Sequence, residues 1–145
     1  MNVTIKNIPN YPMPQSVIEM LTEITKEQPN GFLKVNLENP GYSAEAGGVR
    51  PHYLFINKTD SEIEIEEFGN LTYIPNQAGE YELAICDKWD FVNDIGCVEM
   101  IYRFNIKTED GIESLELNLN NIGAYYELEY LPETAVTVLS CTEAA

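Results

Sequence analysis

Positive charge is what this sequence has least of. Eight Lys and Arg stand against 24 Asp and Glu, with one His, for a formal charge of −16. The acids are spread along the chain instead of sitting in a tail. Such a surface repels phosphates and anionic lipid heads, which argues against direct nucleic-acid or membrane binding and for a basic protein or basic protein segment as partner. Cysteine is scarce as well: Cys86, Cys97 and Cys141 form an odd set without CxxC spacing. That pattern predicts free thiols in a reducing compartment, not a disulfide framework. No apolar run approaches the ~20 residues of a membrane span. The opening MNVTIKNIPN has no apolar core of a signal peptide. A cytoplasmic protein is expected.

Catalytic groups are equally thin. His52 stands alone between Pro51 and Tyr53, and no spacing ties it to a cysteine, so it reads as a hydrogen-bonded structural residue. A zinc site would need Cys and His clustered at short spacing. Asp87, Asp90 and Asp94 could offer oxygens to calcium, but they miss the spacing and glycine of an EF-hand loop and read as solvated acids. Gly47-Gly48 has neither a GxGxxG pattern nor a P-loop lysine, so it reads as a sharp turn. The expectation is a protein that is not an enzyme and uses no cofactor or metal.

What the chain does have is alternation. Its 145 residues suit one domain, and 44% hydrophobic content with nine tyrosines suits a globular, strand-rich one. Residues 1–13 read as extended, with Pro9 and Pro12 opposing a helix. Ser16 and Glu19 match a capping box, and Val17, Leu21 and Ile24, widened by Ile18 and Met20, give the stripe of an amphipathic helix ended by Pro29-Asn30-Gly31. Period-two patterns then predict strands at 32–38, 53–57, 62–67, 81–85, 115–119 and 126–130. Gly69-Asn70 bends the third of these, and 71–74 either continues it past a bulge or pairs back as a hairpin. Cys86–Gly96 reads as an ordered loop pinned by Trp89 and Phe91. Val98–Lys107 reads as the longest strand, closed by a hairpin turn at Glu109-Asp110-Gly111. Asn120–Gly123 reads as another turn, and Ala135–Leu139 as a strand or a short helix. Together these predict a single α+β domain, an antiparallel sheet of about seven strands with an N-terminal helix packed on it over 14–140, and a tail at 141–145.

The alternation also places acids. If the strands share one sheet, Glu62, Glu64, Glu66, Glu80, Glu82, Glu99, Glu116, Glu127 and Glu129 project from similar faces. Like charges opposite one another cost about 0.2–1 kcal/mol a pair, so the face is either simply solvated or used on a cationic partner.

The stretch Pro40–Tyr53, PGYSAEAGGVRPHY, breaks every pattern around it. Arg50 is a rare cation there and is expected to pair with an acid of this chain or of a neighbouring subunit. With its flanks, NPGYSAEAGGVRPHYLFI resembles the signature of a small bacterial family of unknown function encoded on pathogenicity islands and other mobile regions. The resemblance spans about 14–140 by order of elements. Its local motif is Tyr42, Ser43, Glu45, Gly47 and Gly48 with the following Arg50-Pro51. A structural relative of that family is the acidic mitochondrial matrix protein family, which also binds the globular heads of the first complement component. The resemblance implies a strongly twisted antiparallel sheet flanked by helices, an acidic surface, and assembly into a dimer or trimer. It supplies no catalytic residue. This chain is shorter than the mitochondrial proteins and shows no C-terminal helix pattern after Pro132, so their helix-built ring does not carry over. The expected function is a non-enzymatic acidic binding protein. Two rivals are a nucleic-acid mimic from a mobile element that inhibits a DNA-binding protein, and a metal- or Cys-dependent enzyme built around His52, a cysteine or the Asp87–Asp94 stretch.

Overall fold

Leu33, Val35 and Leu37 alternate with Phe32, Lys34 and Asn36 and lie fully buried on one side of strand β2, Gly31–Glu38. Leu54 and Ile56 of β3, His52–Lys58, continue that buried row, as do Ile63, Ile65 and Phe68 of β4, Glu62–Pro75. The computed structural model describes residues 4–5 and 13–141. The remaining strands are β1 (Thr4–Ile5), β5 (Tyr81–Asp90), β6 (Ile95–Val98), β7 (Tyr102–Asn105) and β8 (Glu133–Cys141). The main path runs β7-β6-β5-β4-β3-β2-β8, seven strands paired antiparallel, with β1 added parallel to the start of β4. β2 to β7 form a meander, and β8 returns across the fold to pair with β2. Of the segment expected to be extended, Pro9 and Pro12 lie outside the described residues, as does the tail at 142–145.

Two helices cover the buried face. Helix α1, Gln15–Thr25, buries Val17, Met20 and Leu21. Helix α2, Glu109–Glu127, buries Leu115, Leu119 and Ile122 into the same core. Each such side chain contributes about 1.5–3 kcal/mol by leaving water. The helices touch where Gly123 meets Ser16, since a Cβ at Gly123 would collide with the Ser16 side chain. Ser16 forms no capping box with Glu19: α1 starts two residues earlier than that box requires, after Pro14, whose extended backbone precedes the helix without a side-chain cap.

α2 replaces what the sequence pattern predicted as a hairpin turn, two strands and a second turn. Thr108 caps it, its Oγ1 accepting from the Gly111 amide at 3.1 Å, and Glu109 and Asp110 sit in the first turn where the helix dipole favours acids. Leu115, Leu119 and Ile122 follow the i, i+4, i+7 rule, while Leu117, the residue that completed the apparent alternation, is 61% exposed. The predicted long strand over Val98–Lys107 is two pieces. β6 ends at Val98, and the chain reverses through Glu99 and Met100, both at positive φ, into β7. Cys86–Gly96 is likewise no loop: β5 runs to Asp90 and β6 begins at Ile95, with Trp89 and Phe91 buried as expected. Ala135–Leu139 takes the strand alternative within β8.

Irregularities shape the sheet. β4 carries one extra residue against β3, at Glu66, and β5 one extra against β4, at Cys86. The continuation past Gly69-Asn70 is thus a single long strand whose first half pairs β3 and whose second half pairs β5. The second half of β4 and the first half of β5 extend as an arm. On it Leu71 pairs with Ile85 and Tyr73 with Leu83, and Tyr81, Leu83 and Ile85 are 59%, 43% and 43% exposed. The alternation that predicts a strand at 81–85 does not say what covers its apolar face.

Candidate functional site

The nine acids expected on one face are divided by the fold. Glu62, Glu64 and Glu66 lie on β4, opposite in alternation to buried Ile63 and Ile65. Glu80 and Glu82 are exposed at the start of β5, Glu82 accepting from Asn76 Nδ2 at 2.8 Å. Glu99 occupies the β6–β7 turn. Glu116 and Glu127 belong to α2, and Glu129 follows it at positive φ. With α2 on the core side of the sheet, Glu116, Glu127 and Glu129 are removed from the outer face. Glu127 and Glu129 instead border, with Glu19 and Glu23, a cleft of about 440 Å³ between the helices. There Tyr126 Oη donates to Glu23 Oε1 at 2.6 Å, and partial burial together with Glu23 pushes the phenol up to about 12.

On the outer face the bulge at Glu66 matters most. It lets two successive carboxylates, Glu66 and Glu67, project the same way: Asn57 Nδ2 donates to Glu66 Oε1 at 2.6 Å and Tyr53 Oη to Glu67 Oε2 at 2.7 Å. Beside them Phe32 and Phe55 stack at 5.8 Å, and Tyr53 meets Phe55 edge-on at 5.7 Å. Tyr53 lies over Gly69, where a Cβ would come within 2.6 Å of its oxygen. Phe32, Phe55, Glu66, Glu67 and Asp90 border a shallow groove of about 350 Å³. Asp90 is held ionised: burial opposes its charge, but hydrogen bonds from Asn93 and the Val92 amide outweigh it and lower the carboxyl below its ordinary range. The chain's own Lys34 already places its ammonium 5.3 Å from the Phe55 ring centre and 5.7 Å from that of Tyr53. Phe32, Phe55, Glu67 and Asp90 were absent from the expected set; the Glu66-Glu67 doublet, which breaks strict alternation, was the signal for them.

The Pro40–Tyr53 connector forms a second locus. Ser43 Oγ accepts from the Ala46 amide at 2.9 Å, Ser43 bridges Gly47, and Gly47 and Gly48 take positive φ, which explains the glycine pair. Tyr42 stacks on Tyr73 at 5.3 Å and its hydroxyl meets Thr72 Oγ1 at 3.1 Å, tying the connector to the arm. Glu45 is exposed and Pro51 buried. Arg50 lies 3.7 Å from Asp87 Oδ2 and donates to Cys86 Sγ at 3.3 Å. Burial, with the Asp87 charge, pushes the Cys86 thiol up, away from thiolate chemistry. His52 is 5% exposed, its Nδ1 2.8 Å from the Arg50 carbonyl, and burial lowers it to about 4. The three aspartates have separate roles: Asp87 binds Arg50 and Asn70, Asp90 caps its turn, and Asp94 pairs with Lys107 at 3.2 Å. Among the described residues no three His, Cys, Asp or Glu converge as a metal site, and no helix is long and apolar enough to cross a membrane.

These elements define an α+β protein whose single antiparallel sheet carries both helices on one face and a charged, aromatic surface on the other. The same fold occurs in two hypothetical proteins of Vibrio cholerae pathogenicity islands. VC0508 of island VSP-II matches with a TM-score of 0.79 at 22% identity, over 93% of this chain and 98% of its own. VC1805 of island VPI-2, which shares structural homology with the human P32 protein, matches with a TM-score of 0.69 at 23% identity, over 87% and 95%. No family model and no curated protein matches the sequence.

Proposed function

We propose that the protein is a non-enzymatic binding protein that takes a basic segment of another protein on the outer face of its sheet. The observation that carries this is Lys34: an ammonium seated over Tyr53 and over Phe55, the ring that borders the groove with Glu66, Glu67 and Asp90, is an internal example of the ligand. Cation–π contact of this kind is worth about 0.5–1 kcal/mol at an exposed site and ~2 when desolvated. The charge of −16 adds long-range attraction for a basic partner, and that attraction weakens with salt. The homology of VC1805 to P32 is consistent with a binding role. Three free cysteines fit a reducing cytoplasm.

The test is binding of a labelled Arg/Lys-rich peptide by fluorescence anisotropy, in the wild type and in Phe55→Ala and Glu64→Lys/Glu66→Lys variants. Wild-type affinity should fall as salt rises, and each variant should bind about tenfold more weakly, about 1.4 kcal/mol. Equal binding by all three proteins would remove the outer face as the site. Self-association is a second element of the proposal, favoured by the exposed Tyr81, Leu83 and Ile85 row on the arm. Light scattering should show a dimer or trimer that Leu83→Glu converts to monomer; a monomeric wild type would end that part of the proposal.

A further inference from the structure

Strand β8 completes the sheet but leaves its own far side open. It pairs only with β2, so among the described residues the amides and carbonyls along its other edge meet no neighbouring strand. Every residue of Glu133–Cys141 except Val136 is exposed. Exposed sheet edges are ordinarily defended by shortness, charge, proline or a bulge. The other end of the main path follows that rule, since β7 is four residues long and carries Arg103. β8 does not. After Glu133 it reads TAVTVLSC, with neither a charge nor a proline. Its one irregularity, an extra residue at Leu139 against β2, lies near the far end and leaves 133–138 in regular register. An undefended edge of this kind is a template for strand addition, in which main-chain hydrogen bonds hold the guest and alternate side chains select it.

What surrounds the strand selects the guest. Glu133 is the register partner of Glu38, so two exposed carboxylates stand opposite each other at the N-terminal end of β8. Like charges in that arrangement repel, and a cation placed beside them relieves the repulsion. With Asn36 they border a cavity of about 520 Å³ on the outer side of the sheet, which reaches Thr134 and Ala135. On the helix side, the cleft bordered by Glu19, Glu23, Glu127 and Glu129 also reaches Thr134. A strand laid along β8 sends successive side chains to opposite faces, hence towards one and then the other of these acidic hollows. Farther along, Val136 and the 41% exposed Val138 present an apolar side. The fitting guest has basic residues at one end and β-branched residues along the rest. A second copy of this chain does not fit, because its β8 contains no Lys or Arg and its net charge is −16. Antiparallel pairing is slightly the more stable geometry and continues that of β2 with β8, which puts the basic residues at the guest's C-terminal end.

We infer that β8 is a docking edge for an extended segment of another protein, added antiparallel as a further strand, with β-branched residues beside Val136 and Val138 and basic residues beside Glu133. It uses the rim of the sheet and not the Phe55 groove, so it stands or falls separately from binding on the outer face.

The probe is the synthetic peptide TVTVTVKRK, titrated into the full-length ¹⁵N-labelled protein and followed by amide hydrogen exchange. Its control is the same peptide N-methylated at every Thr and Val, which keeps the charge and side chains but has no amide there to donate. Binding should slow exchange at alternate amides of 133–138 by tenfold or more at saturation, and the methylated peptide should bind at least tenfold more weakly. Glu38→Gln/Glu133→Gln removes a repulsion, so it should keep or raise the melting temperature while binding the peptide about fivefold more weakly. Phe55→Ala should bind the peptide as the wild type does. Equal binding of the methylated peptide, protection confined to β3 and β4, or no binding at all would overturn the assignment. So would slowed β8 exchange on concentrating the protein without peptide, which would make a second copy the occupant.

Discussion

Acidifying the protein should expose the cost of its buried histidine. His52 lies against Phe68 at 6.1 Å and Tyr125 at 6.0 Å, with Arg50 and Asp87 as the charged groups around it. Burial is the largest influence; the hydrogen bond to the Arg50 carbonyl opposes it, the Arg50 charge reinforces it, and the Asp87 charge opposes it, leaving the ring at about 4 against an ordinary 6.5. Between those values the unfolded chain takes up a proton that the folded chain refuses. Stability is therefore complete above about pH 6.5 and is lost as pH falls towards 4, by about 3 kcal/mol in all and about 2 kcal/mol between pH 7 and pH 4.5. Asp90, whose carboxyl is lowered, also loses its stabilising charge on acidification, so the contribution of His52 must be read as a difference. Urea unfolding of the wild type and of His52→Gln at both pH values isolates it: the stability gap between the two proteins should shift by about 2 kcal/mol against the wild type on acidification. An NMR titration of the single histidine checks the cause directly. A ring that titrates near 6.5, or a gap that stays constant with pH, would refute the reasoning.

Further outcomes follow from packing. Leu115→Ala should cost about 2–5 kcal/mol and Leu117→Ala less than about 0.5 kcal/mol, as chemical denaturation would report; equal losses would contradict a helix at this place. Gly69→Ala brings a Cβ within 2.6 Å of both the Asp87 carbonyl and the Tyr53 hydroxyl. It should cost about 2–4 kcal/mol, combining overpacking with loss of the Tyr53–Glu67 hydrogen bond, and lower the melting temperature accordingly. Tyr53 is pushed far above the ordinary 10, by burial first and by Glu67 next. Its folded form keeps the proton that the unfolded form loses, so stability is present below about pH 10 and declines above it; in Tyr53→Phe the alkaline decline should be shallower.

Much of the sheet is legible from sequence, and the C-terminal half is where legibility fails. β2 and the start of β4 bury every second residue, which is the signal alternation encodes, and α1 buries one stripe. α2 was hidden because Leu115, Leu117 and Leu119 satisfy a period of two while Leu115, Leu119 and Ile122 satisfy 3.6. The arbiter lay at the boundary, where Thr108 followed by Glu109 and Asp110 is a helix start. The arm is different: its pattern is right for a strand but says nothing about whether a partner layer exists, and Tyr81, Leu83 and Ile85 are exposed. Of the outer-face site, the acids of β4 were visible and the aromatics beside them were not, because which strands adjoin is set by pairing. The grouping of Arg50, Asn70 and Asp87 was out of reach for the same reason: the three meet only through topology.

The pairing of β8 with β2 has a consequence for how the molecule is made. Residues 133–141 must find residues 31–38 after about a hundred intervening residues have been synthesised, so the sheet cannot close on the ribosome while the growing chain is short. Until then β2 presents a bare hydrogen-bonding edge backed by Leu33, Val35 and Leu37, a template to which another nascent chain can add. Completion of the fold is a late event, and a chaperone that shields that edge would act on the interval between the two strands' emergence.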